Sequence, residues 1–168
     1  MLRRSCGSIC HGFGQYRLGM CYKNGHGVQQ SFTQAFLNFQ NSAQGGNPFG
    51  QYRLGLCYEK GEGVEMNLEE AAAWFHRSAI QENSDAQVRL GFCYQRGQGV
   101  AQSYESAVEW YRSAAEQEHS WAQHQLGYCY EKGRGVQQSR TEALNWYGKS
   151  AAKGNAAGKE ALERLIQV

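Results

Sequence analysis

The chain has 168 residues, 17 Lys+Arg against 15 Asp+Glu, and 41% apolar residues. That length and apolar content suit one globular domain and exclude a disordered chain, while a net charge of +2 provides no strong field for nucleic acid or anionic lipid. No apolar run approaches the roughly 20 residues of a membrane span, and Arg3-Arg4 has no apolar stretch behind it to read as a secretory signal. The anomaly is 21 Gly against one Pro, with the glycines at fixed intervals.

The interval is 36 residues. Leu-Gly recurs at Leu18-Gly19, Leu54-Gly55, Leu90-Gly91 and Leu126-Gly127, and Cys-Tyr follows at 21–22, 57–58, 93–94 and 129–130. Gly-x-Gly-Val begins at Gly25, Gly61, Gly97 and Gly133, and alanines recur from Ala35 and Ala43. With Gln15, Gln51, Gln87 and Gln123, ten positions are identical in all four copies.

In chain order, residues 1–10 come first. Shifted by one period, Arg3-Arg4-Ser5-Cys6-Gly7 falls on Phe39-Gln40-Asn41-Ser42-Ala43. This segment is expected to be the remnant of a preceding repeat or an N-terminal tail, the chain then being a fragment of a longer array. Four repeats follow at 11–46, 47–82, 83–118 and 119–154.

Each repeat reads as two helices. The first starts after a cap such as Asn47-Pro48 and stops at the first Gly of Gly-x-Gly. The second starts at Ser31, Asn67, Ser103 or Ser139. Gln34, Glu70 and Glu142 stand three residues on as capping-box partners, and Ser106 makes a weaker one. Second helices end near Gly45-Gly46 and Gly154, whereas the ends through Glu82 and Glu118 lack the stop glycine. Residues 155–168 read as a C-terminal capping helix. Leu162 keeps the repeat leucine, Glu163 replaces the glycine, and Glu160 and Arg164 take the positions of Tyr52 and Leu56. A polar outer face is what a terminal helix needs.

Leu54, Gly55, Cys57 and Tyr58 share one side of their helix. The glycine permits close approach of the second helix, with Ala71 as the expected partner. Trp74-Phe75, Trp110-Tyr111 and Trp146-Tyr147 supply bulk. One hairpin cannot bury both of its faces, and stacking its neighbours does so.

The pattern Leu-Gly-x-x-Tyr-x-x-Gly-x-Gly-Val, then Ala-x-x-Trp-Tyr-x-x-Ala-Ala, resembles the Sel-one-like repeat (SLR) family, a cousin of the tetratricopeptide repeat. The resemblance covers all four repeats. It implies an all-α protein, a right-handed α-solenoid of helix-turn-helix repeats with the first helices on the concave side. It also implies a non-enzymatic scaffold or adaptor role in protein complexes.

A second stripe on each first helix would then face the groove. It reads Phe13, Tyr16, Met20; Phe49, Tyr52, Leu56; Asp85, Val88, Phe92; Trp121, His124, Tyr128, with Arg17, Arg53 and Arg89 beside it. Aromatic anchors flanked by arginines are the composition of interface hot spots. The competing reading is packing between neighbouring helices, above all for Tyr52, Val88 and His124. The middle repeats are acidic and the end repeats basic. Residues 11–46 hold two basic and no acidic residues, 47–82 three and six, 83–118 three and five, 119–154 five and two.

Four of the six cysteines occupy the repeated position. Helix axes about 8–10 Å apart do not suit a ladder of disulfides, so buried thiols are expected, and with them a cytoplasmic setting. Cys6 and Cys10 with His11 lack further ligands at metal spacing. Ser150-Ala-Ala-Lys153 matches the Ser-x-x-Lys of penicillin-recognising enzymes, but its companion motifs are absent and Ser150 is a repeat position. No cofactor or metal is expected. The expected function is to hold a protein or peptide segment in the groove as a monomer. The alternatives are a structural spacer in a longer array and, more remotely, a β-lactamase-like hydrolase.

Overall fold

The computed structural model describes the backbone of residues 5–167 and the side chains of residues 12–167. All of the described secondary structure is helical: α1 (Ser5–Asn24), α2 (Phe32–Gln44), α3 (Pro48–Lys60), α4 (Leu68–Ala79), α5 (Ser84–Arg96), α6 (Tyr104–Glu116), α7 (Ser120–Lys132), α8 (Arg140–Ala152) and α9 (Ala156–Ile166). They form four helical hairpins and a terminal helix. The chain divides into two compact units, residues 1–86 and 87–168.

The helix ends follow the residues that make them. Asn47 Oδ1 accepts from the N–H of Phe49 and Gly50 ahead of Pro48, and Gly61 closes α3 in the left-handed region at φ 70°. Ser31, Asn67, Ser103 and Ser139 each accept from the N–H three residues on. The return bond expected of a capping box is replaced: the cap residue's own N–H donates to the carbonyl of Tyr22, Tyr58, Tyr94 or Tyr130. The Gly-x-Gly-Val turn carries each cap back to the end of the preceding helix, so backbone supplies what the Gln or Glu was expected to supply.

α1 has 20 residues and starts ahead of the expected repeat boundary at 11. At positions 9–12 the chain has Ile-Cys-His-Gly where 45–48 has Gly-Gly-Asn-Pro, so the break between helices has no residues to make it. Arg3 and Arg4, and the side chains of Cys6, Cys10 and His11, lie outside the described residues.

The repeat glycines are close-approach sites. A Cβ on Gly55 would stand 2.6 Å from the ring of Phe75 and 3.2 Å from the Ala71 carbonyl oxygen. Gly19, Gly91 and Gly127 meet Phe39, Tyr111 and Tyr147 in the same way. The expected partner was the alanine; the aromatic ring lies nearer. Phe36, Phe39, Leu54 and Cys57 centre the core of unit 1, and Val108, Tyr111, Leu126 and Trp146 that of unit 2.

Cys57, Cys93 and Cys129 are buried, Cys21 is half-buried, and all four are unbridged. Burial pushes the Cys57 and Cys129 thiols up to about 11, which keeps them protonated and unreactive at neutral pH.

Candidate functional site: an aromatic and arginine cleft

The residues expected in the groove separate into three groups. Leu56 is 5% exposed and Val88 8%, which corrects their assignment to a binding surface. Val88 packs with Val108, Tyr111 and Leu126. Leu56 on α3 and Val88 on α5 stand at different positions of the repeat, and at both a short side chain is covered by its neighbours.

A second group is shared between core and surface. Tyr16, Tyr52 and His124 lie half-buried with their rings 6.3, 6.0 and 5.5 Å from Phe39, Phe75 and Tyr147 of the paired second helix. Trp121 stands 6.1 Å from Tyr111, and Met20 packs against the core of unit 1. Tyr16, Tyr52 and His124 extend the aromatic layer of their own hairpins, and Trp121 reaches the ring of the preceding second helix.

The third group is accessible. In unit 1, Phe13 and Phe49 are 47% and 50% exposed and flank Tyr16 at 6.0 and 5.9 Å. Arg17 is exposed beside them, and the Arg53 guanidinium lies 5.8 Å from the Tyr52 ring. In unit 2, Phe92, His124 and Tyr128 line a cleft of about 440 Å³ with Gln95, Arg96, Tyr104 and Arg134. Arg89 is half-buried on the same helix as Phe92.

The unit 2 cleft has the more defined chemistry. Arg96 stacks 5.1 Å from the Phe92 ring, and Arg134 lies 5.3 Å from Tyr128 and 5.5 Å from Tyr104. Rings beneath a guanidinium hold its plane and leave its N–H edge free. No acidic side chain lines the cleft. Burial lowers the His124 pKa below its usual value, against a smaller opposing effect of Glu131. The imidazole is therefore neutral at pH 7, and its Nδ1 is shielded with no hydrogen-bond partner among the described residues. Gln102 donates to the Gln95 carbonyl at 2.9 Å and joins the Gly-x-Gly-Val turn to the end of α5.

Sequence reasoning missed Arg96, Tyr104 and Arg134. They sit at helix ends and in the turn, off the stripe that helical spacing selects. The available signal was the variable residue within the invariant Gly-x-Gly: His26, Glu62, Gln98 and Arg134.

The hydrolase candidate has a structural role. Ser150 is fully buried and its hydroxyl donates to the Ser120 carbonyl at 2.7 Å, as Ser78 donates to that of Pro48. Lys153 Nζ pairs with Glu118 at 2.7 Å.

Repeated hairpins whose identical residues form caps, close approaches and core place this chain among the helical-repeat proteins. The family model of the Sel1 repeat matches residues 12–47, 48–83, 84–119 and 122–155, and the chain belongs to that family as an all-α solenoid of four repeats. Among solved structures it is similar to c5321, a protective antigen of uropathogenic Escherichia coli with an SLR fold: 38% identity, TM-score 0.88, over 90% of this chain and 32% of that one. It is similar also to a Sel1 repeat protein from Oxalobacter formigenes: 32% identity, TM-score 0.87, over 90% of this chain and 60% of that one. The chain thus spans a third to three fifths of these relatives. The Helicobacter pylori cysteine-rich protein B shares the fold at 21% identity and TM-score 0.57. No match was found among curated proteins. Sel1-repeat proteins are generally non-catalytic, protein-interaction scaffolds.

Proposed function

We propose that this chain is an interaction module that holds an acidic segment of a partner protein in the cleft of unit 2. The observation that carries the reading is the pair Arg96 and Arg134, each stacked on aromatic rings, in a cleft with no lining carboxylate. A carboxylate of the guest pairs with the guanidinium edges. Flanking apolar side chains lie against Phe92, Tyr104 and Tyr128. The exposed Phe13 and Phe49 of unit 1 offer a separate apolar contact.

The cleft is small, so a single segment binds with micromolar affinity, about −8 kcal/mol. The test is affinity capture followed by titration with the captured segment. Arg96→Glu with Arg134→Glu is expected to keep its helicity and to weaken binding at least tenfold, about 1.4 kcal/mol. Added salt is expected to weaken the wild type more than the variant. A double variant that binds every partner as tightly as wild type favours the alternative of a spacer in a longer array.

A further inference from the structure

We infer that unit 2 carries a second binding site, away from the arginine cleft, that accepts a carboxamide: the side chain of a glutamine or asparagine of a partner protein. The argument starts from the glutamine identical in all four repeats. Gln51 Nε2 donates to the Ala43 carbonyl at 3.3 Å, and Gln123 Nε2 to the Ala115 carbonyl at 3.2 Å, so each ties a first helix to the end of the preceding second helix. That leaves the Oε1 of each glutamine inside the protein, in need of a donor.

Repeats 2 and 3 supply the donor from a position thirty residues on. Gln81 Nε2 lies 2.8 Å from Gln51 Oε1, and Gln117 Nε2 lies 2.8 Å from Gln87 Oε1. In repeat 4 the corresponding residue is Lys153. Its ammonium is costly to dehydrate beside a neutral amide, and it turns outward to Glu118 at 2.7 Å. Gln123 Oε1 is consequently shielded with no partner among the described residues, in a side chain whose residue is only 3% exposed.

Gln123 also lines a pocket of about 450 Å³, together with Ala115, Glu116, Glu118, Trp146, Lys149, Ala152 and Lys153. Trp146 is 8% exposed and held from one side by the Lys149 ammonium, 4.0 Å from its ring. Its indole N–H is also without a partner. Trp74 in unit 1 has the same unpaired N–H, so Gln123 is what sets repeat 4 apart. The chemistry of the occupant is written in the chain itself: where a glutamine stands at this position, its amide fills the place. A carboxylate sets acceptor against acceptor. The ammonium of Lys153, which could donate to that oxygen, pairs with Glu118 instead.

The experiment follows the Gln123 side-chain NH₂ and Trp146 indole N–H signals by NMR while propionamide, propionate or propylammonium is added. Propionamide is expected to shift the Gln123 signal saturably and the two charged probes are not. Lys153→Gln supplies the missing amide from within and is expected to weaken the propionamide response at least tenfold. Lys153→Ala leaves the place open and retains it. Arg96→Glu with Arg134→Glu leaves the response unchanged, which separates this site from the cleft. A pocket that holds only water gives no saturable shift. That result, an equal response to propionate, or an undiminished response in Lys153→Gln each overturns the proposal.

Discussion

Leu18 and Leu54 are the same residue of the repeat in two surroundings. Leu54 is fully buried among Phe36, Phe39 and Ala43, whereas Leu18 is 41% exposed. A leucine sealed by neighbours leaves a cavity when truncated and an exposed one does not, so Leu54→Ala is expected to cost about 2–5 kcal/mol and Leu18→Ala under about 1 kcal/mol. Chemical denaturation of the two variants measures the difference, and equal losses would show that the repeat position and not its cover sets the energy. Polar residues are matched with the same locality. Tyr111 and Tyr147 donate to Gln95 at 2.6 Å and to Glu131 at 2.8 Å. In the first two repeats Phe39 and Phe75, which have no hydroxyl, correspond to these tyrosines, and Lys23 and Glu59 correspond to Gln95 and Glu131.

At the scale of the element, each hairpin depends on one glycine and one turn. Gly55→Leu drives a side chain into the Phe75 ring, where even a Cβ stands at 2.6 Å. The expected cost is about 1–3 kcal/mol or more, read as a fall in denaturation midpoint. The turn after α4 works the other way. Glu82 adopts φ 62° where the equivalent Gly46 has φ 82°. An L-residue in the left-handed region is held there at a cost of about 1–2 kcal/mol, partly offset by the greater freedom glycine loses on folding. Glu82→Gly is therefore expected to stabilise unit 1 by up to about 1 kcal/mol. A drop in thermal midpoint would contradict the strain at this turn.

At the scale of the molecule, the terminal helix is fastened by charge. Arg164 of α9 makes two bonds to Glu131 of α7, at 3.1 and 2.7 Å, where Lys132 and the Tyr147 hydroxyl also meet the carboxylate. The Arg164 hydrogen bonds, over the opposing effect of burial, hold the Glu131 carboxyl down to about 2 from its ordinary 4.5. A carboxyl lowered on folding stabilises in full above its unfolded value, and that contribution is lost as pH falls from about 4.5 towards 2. Glu131→Gln is expected to be less stable than wild type at pH 7, with the gap much reduced at pH 2.5. Denaturant titrations at the two pH values test this, and a gap independent of pH would place the stabilisation elsewhere.

The sequence by itself determined the fold. A 36-residue period with ten identical positions sets helix boundaries, caps and the close-packed face, because these depend on neighbours within one hairpin. It also marked Phe13, Phe49, Phe92 and Tyr128 as groove candidates, since spacing along a helix selects a face. Only the tertiary structure decided that Leu56 and Val88 are core, that Arg96 and Arg134 join Phe92 and Tyr128 in one cleft, and that Gln123 Oε1 has no partner among the described residues. Helical periodicity fixes where a side chain leaves its own helix. Whether it is covered, and what it reaches, depends also on residues 16 to 30 positions away that the pairing and stacking of helices bring beside it.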